Sequence, residues 1–88
     1  MKIFYFMGRN NLNKSGVSWK LWKIERKANE VSVWWGPVAV IKRKPVPTGT
    51  LQTKRWKFAS ERDAAAYEAA RIQSKLSGGY ERKPKWRS

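Results

Sequence analysis

Apolar positions along the chain follow two rhythms, one alternating and one helical. Residues 3–7, Ile-Phe-Tyr-Phe-Met, form a short apolar run ended by Gly8 and the polar stretch 10–16, and read as a strand. Residues 18–26, SWKLWKIER, alternate. Trp22 and Ile24 share one face with Lys20, and Trp19 and Leu21 share the other with Lys23. Both faces of this strand are partly apolar, which suits a sheet covered on one side and functional on the other. Ala28-Asn29-Glu30 supplies a turn, and residues 31–41 read as a second long strand that closes a hairpin. Gly36-Pro37 falls inside it. Proline lacks the backbone donor and glycine weakens a strand, so a bulge or bend is expected there.

Residues 42–50 carry two prolines, a glycine and three consecutive basic residues, and read as an exposed loop. Residues 51–58, LQTKRWKF, form another strand, with Trp56 and Phe58 on one face and Arg55 and Lys57 on the other. The helix is the clearest element. Ser60-Glu61-Arg62-Asp63 matches a capping box, with Ser60 as N-cap. Glu61 and Asp63 suit the positive end of the helix dipole, and Arg71 and Lys75 the negative end. Ala65, Ala69, Ile72 and Leu76 fall in one stripe, assigned to the core. Gly78-Gly79 ends the helix, and Tyr80 is expected to pack beneath that end. Tyr67 lies about opposite the stripe, and the pattern does not decide its partner. Residues 81–88, ERKPKWRS, read as a basic, mobile arm in which Trp86 stays outside the core. Several strands and one helix make an α+β chain of one domain, residues 1–80, with a tail.

Charge changes the picture more than any motif. Among 88 residues, 20 are Lys or Arg and 6 are Asp or Glu, a formal net charge of +14. Such an excess attracts polyanions from a distance, and mixed signs would serve solubility equally well. Nucleic acid is therefore the expected partner, with an acidic protein surface as the alternative. The chain has no Cys and no His, which excludes disulfides, thiolate chemistry and the usual zinc sites. No secretory signal or spanning segment is recognisable, so a cytoplasmic protein is expected, or a nuclear one in a eukaryote. No cofactor is implied.

Trp35-Gly36 after a strand, the strand Lys20-Leu21-Trp22-Lys23-Ile24, Phe58 leading into the helix, and Lys75 ahead of Gly79-Tyr80 together resemble the WGR domain. The resemblance covers roughly residues 18–81. It implies a twisted antiparallel sheet of about four to five strands with one helix packed across it, and binding to DNA near breaks or ends. Trp35 matches the tryptophan that packs on a sugar at a strand end. Pro37 stands where the name-giving arginine would be. That arginine serves contacts to neighbouring domains, so its loss bears on interdomain signalling more than on DNA binding.

Trp34 and Trp35 project to opposite faces of one strand, so at most one indole is easily core and the other is free to stack on a base or ribose. The alternative is that each packs against its own layer. Phosphate contacts are assigned to Lys42, Arg43, Lys44, Lys54, Arg55 and Lys57, the densest basic runs, and to Arg82, Lys83 and Lys85 of the tail. Lys20 and Lys23, on opposite faces, do not serve one phosphate track. Of the carboxylates, Glu61 and Asp63 have a capping explanation and Glu30 sits in a turn. No two acids have a spacing that suggests shared work on a substrate or metal, so no enzymatic activity is expected. The reading is a DNA-binding module with little sequence preference, RNA being the nearest variant of it.

Overall fold

A computed structural model describes residues 1–9 and 17–82. Its elements are β1 (Lys2–Arg9), β2 (Val17–Lys27), β3 (Glu30–Ile41), β4 (Lys44–Pro47), β5 (Gln52–Lys57) and α1 (Glu61–Ser77). Every ladder is antiparallel. β2 lies between β1 and β3, and the far edge of β3 is shared in succession, by β5 along residues 30–35 and by β4 along residues 38–41. With one helix after this five-stranded sheet, the chain is an α+β fold, as expected. None of the described helices is long and apolar enough to cross a membrane.

Two expectations for the middle of the chain are corrected. Residues 42–50 are not all loop, since β4 pairs with β3 from Val38↔Pro47 to Ile41↔Lys44. Nor is there a bulge at Gly36-Pro37, because the β2–β3 register runs unbroken through Leu21↔Gly36 and Lys20↔Pro37. What changes there is the edge partner. In a strand the N–H and C=O of one residue point the same way. The Pro37 carbonyl accepts from the Thr48 N–H at 3.2 Å, so the missing proline donor faces the junction between β5 and β4, where no ladder needs it. Gly36 serves packing. A Cβ there would lie 2.9 Å from Leu51 Cδ2, so the absent side chain lets Leu51 fold over the strand.

Alternation along the strands builds two apolar clusters. On the helix side Phe4, Trp22, Ile24, Val31, Val33 and Ala64 are buried, with Trp35, Trp56, Phe58, Tyr67, Ile72 and Tyr80 packed against them. On the open side Trp19, Leu21 and Val38 are buried, flanked by Ile3, Tyr5, Val40 and Leu51. β2 thus feeds both, as its doubly apolar pattern implied. Tyr67 settles between Trp56 and Phe58, with ring centroids 5.1 Å from each.

The helix caps follow the sequence closely. Ser60 accepts from the Asp63 N–H at 3.1 Å. At the other end the Gly79 N–H donates to the Leu76 carbonyl and the Tyr80 N–H to the Lys75 carbonyl, a Schellman arrangement, with Gly79 at φ 98°. Tyr80 packs on Phe6 at 5.2 Å, and beyond it Glu81 and Tyr5 exchange two backbone hydrogen bonds of 2.8 Å that protect the edge of β1.

The expected core stripe is wrong in phase. Ile72 packs on the core, but Ala69 is exposed, Ala65 is only half-buried and Leu76 is 44% exposed. The covered stripe runs through Ala64, Glu68, Arg71, Ile72 and Lys75, spaced as one helical face. Glu68 and Lys75 are covered because their stems lie on the sheet while their ends find partners. The Arg26 Nε is 3.5 Å from Glu68 Oε1, and the Lys75 ammonium sits over Trp22 and Tyr80.

These caps make a stability prediction. Gly79→Ala forces an L side chain into the left-handed region, against Phe6 at 3.3 Å, and should destabilise by about 1–2 kcal/mol. Ser60→Ala should cost about 1 kcal/mol. Thermal denaturation should register each as a fall in melting temperature of roughly 4–8 °C per kcal/mol.

Candidate nucleic-acid interface

The register sorts every described strand residue onto one side of the sheet or the other. On the helix side, Trp35 stands directly opposite Trp22 of β2 and Gln52 of β5. Its diagonal neighbours on that side are Lys20, the partner of Pro37, and Lys54, the partner of Val33. Trp35 is half-buried and packed against the core; Lys20 and Lys54 are exposed. The Lys54 ammonium lies 5.3 Å from the Trp56 ring. The Lys75 ammonium lies 5.4 Å over Trp22, the cross-strand neighbour of Trp35, and 5.0 Å over Tyr80.

No described strand position on this side carries an acid, whereas Lys2, Lys20, Arg26, Lys44 and Lys54 all do their share of the opposite charge. The carboxylate that the helix brings over the sheet, Glu68, is engaged by Arg26. The helix adds cations under strain. Burial, and then the neighbouring Arg71, pull the Lys75 pKa below its ordinary value. Arg71 Nε is buried without a hydrogen-bond partner among the described residues. Arg71 and Lys75 thus stand one helical turn apart on the covered face of α1.

The open side mixes charges of both signs. Glu25 is 3.6 Å from the Lys27 ammonium, the Lys23 ammonium covers the Trp34 ring at 4.8 Å, and Arg55 Nε donates to Ser32 Oγ at 3.2 Å. Glu25, Lys27, Glu30, Ser32, Trp34 and Arg55 line a shallow depression of about 230 Å³. This is a solvated mixed-charge surface, and its indole is already capped by a lysine.

The residues singled out from sequence therefore separate. Trp35 and Lys54 come together on the helix side. Arg55 and Lys57 lie on the opposite side, in register with Ser32 and Glu30. Lys42 and Arg43 form the β3–β4 turn, and Lys44 opens β4 on the helix side across from Ile41. The Arg82 guanidinium lies 5.8 Å from the Phe4 ring, beside the far edge strand. Lys83, Lys85 and Trp86 are outside the described residues. Trp34 and Trp35 pack toward different sides, as the alternation required.

Sequence reasoning missed Lys20 and Lys75. Lys20 was set aside because it opposes Lys23, yet the signal that pairs it with Trp35 is its alternation with Trp22, once the hairpin register is known. Lys75 was read only as a dipole partner. Among the described residues no three of Asp, Glu, His or Cys gather to hold a metal ion. Searches against family models, curated proteins and solved structures find no match to this chain.

The Lys75 environment has a pH consequence. Its folded pKa is lowered, so the unfolded chain binds more protons between the two values, and folding stability rises with pH through that window up to the unfolded value. Lys75→Met keeps the stem and removes the desolvated charge. At neutral pH it should melt no lower than the parent, and any advantage should shrink as pH climbs toward 10.5. A variant that melts lower at pH 7 and no closer to the parent at pH 10 would contradict this.

Proposed function

We propose that this chain is a non-catalytic nucleic-acid-binding module that holds duplex DNA on its helix side with little sequence preference. The observation that carries the reading is a set of strand positions without an acid, on which a half-buried indole, Trp35, is flanked diagonally by Lys20 and Lys54. Lysines neutralise phosphates and fix position without reading bases. The ring face adds a stacking or sugar contact that an intact duplex offers least and an end or nick offers most. The resemblance to the WGR domain, carried by Trp35-Gly36 and the order of strands and helix, supports the same assignment. A working place beside nucleic acid follows, in the cytoplasm with the nucleoid or in a nucleus.

The alternative is a basic protein that docks on an acidic protein, and it would use the same cations. Treating a pull-down with nuclease separates the two, since partners bridged by DNA should vanish while a direct partner persists.

For DNA the affinity should fall steeply with salt. Six contacts from Lys20, Lys42, Arg43, Lys44, Lys54 and Lys75 correspond to a log–log slope of about −5, at roughly 0.9 per phosphate. Trp35→Ala should weaken binding to nicked or ended duplex by about 1–3 kcal/mol, and to a closed circle by less. Replacing Arg55 and Lys57 together with Gln, on the other side, should cost less than replacing Lys20 and Lys54. Equal losses for the two lysine sets would remove the basis for placing DNA on the helix side, and equal losses of Trp35→Ala on all substrates would remove end recognition.

A further inference from the structure

The β3–β4 hairpin runs past the pairing of the other strands, with Val40 at its base still packed on the open-side cluster. Pairing between β2 and β3 stops at Trp19↔Val38, and β5 pairs only as far as Trp35. From Ala39 onward β3 has β4 alone beside it among the described strands. Residues 39–46 are therefore a two-stranded ribbon. Three of the ribbon's eight residues are cations, Lys42, Arg43 and Lys44, and none is an acid.

Its turn is built from unfavourable residues. Lys42 and Arg43 both have positive φ, 51° and 63°, the backbone that two-residue hairpins usually entrust to Asn-Gly. The other non-glycine residue in this region, Ala28 at φ 53°, sits in a turn that the fold ties down. Asn29 there donates to and accepts from Phe58 at 2.7 and 2.8 Å, and Arg26 donates to the Ala28 carbonyl. Among the described residues the Lys42 and Arg43 side chains make no such bonds; both are exposed. Two long cations are thus held in a left-handed turn with no side-chain hydrogen bond to the described residues, a situation in which strain points outward to a partner. Beside them, Ile41 and Val46 stay 55% and 42% exposed, and both face the helix side, as Trp35 does.

Resting on the DNA-binding reading above, we infer that this ribbon enters the major groove of B-form duplex DNA. Lys42, Arg43 and Lys44 meet the flanking phosphates, and Ile41 and Val46 lie against the base edges. The fit is geometric. Paired strands are spaced about 4.8 Å apart, and a major groove about 12 Å wide admits a two-stranded ribbon where a minor groove of about 6 Å does not. Trp35 and Ile41 are six residues apart on one strand, roughly 20 Å, so the ribbon and the indole span about six base pairs of one duplex face. The deep, narrow major groove of A-form RNA excludes the same ribbon.

The test is the double variant Lys42→Asn, Arg43→Gly, which installs the favoured turn while deleting both tip cations. Its melting temperature should equal or exceed that of the parent. Its affinity for a 20-base-pair DNA duplex should fall about tenfold, with a salt slope shallower by about 2. The parent should prefer DNA to an RNA duplex of the same sequence, and the double variant should lose most of that preference. A DNA duplex with bulky glucosyl groups on cytosine C5, which fill the major groove, should bind the parent as weakly as plain DNA binds the variant. If the variant folds and binds every duplex with parental affinity and slope, the ribbon inference falls while the helix-side reading stands, provided Trp35→Ala still weakens binding to ends. If the parent binds no duplex at all, the DNA-binding reading falls first and takes the ribbon with it.

Discussion

The continuous ladder between β2 and β3, in register from Trp19↔Val38 to Lys27↔Glu30, is what the remainder of the structure depends on. A slip of one residue would move every side chain of β3 to the other side of the sheet. Trp35 would then point away from the helix and Trp34 toward it, and Lys20 would part from Trp35. The ladder passes through Gly36-Pro37 because the proline lacks its donor only at the edge, at the junction of β5 and β4. Two short strands succeed one another there, which leaves the second free to run out as a ribbon.

That alternation also segregates charge. Glu25 and Glu30 fall on the open side among Lys23, Lys27, Arg55 and Lys57 and dilute their field. On the helix side the strands contribute cations alone, and the carboxylate that α1 lays across them is answered by Arg26. A net charge of +14 is therefore presented unevenly. Field lines from a one-signed surface reach a polyanion before contact and orient it, so on the proposed reading the helix side is the one that would meet phosphates first. Aromatic surface lies on that same side, where Trp22, Trp35 and Trp56 share one wall and two lysines rest on it.

How much of this was legible depended on whether the governing contact was local. Alternation in residues 18–26, the opposed Trp34 and Trp35, the Ser60 cap and the Gly78-Gly79 stop are set within a few residues, and each was readable. The Gly36-Pro37 site was misread because a bulge is the local remedy for proline, whereas the remedy used is a change of partner strands distant in sequence. The helix stripe was misread because Glu68, Arg71 and Lys75 score as polar, although their stems cover the sheet. Of the site, Trp35 and Lys54 were named from sequence. Lys20 was not, since its closeness to Trp35 exists only in the folded register.

The most direct measurement is a titration of the isotope-labelled protein with a short DNA duplex, followed by NMR at the indole and lysine signals. The account predicts that the Trp35 indole and the Lys20, Lys54 and Lys75 side chains shift together, while the Trp34 indole, one residue away on the opposite side, stays still. Shifts centred on Trp34, Lys23 and Arg55, with Trp35 unmoved, would contradict it.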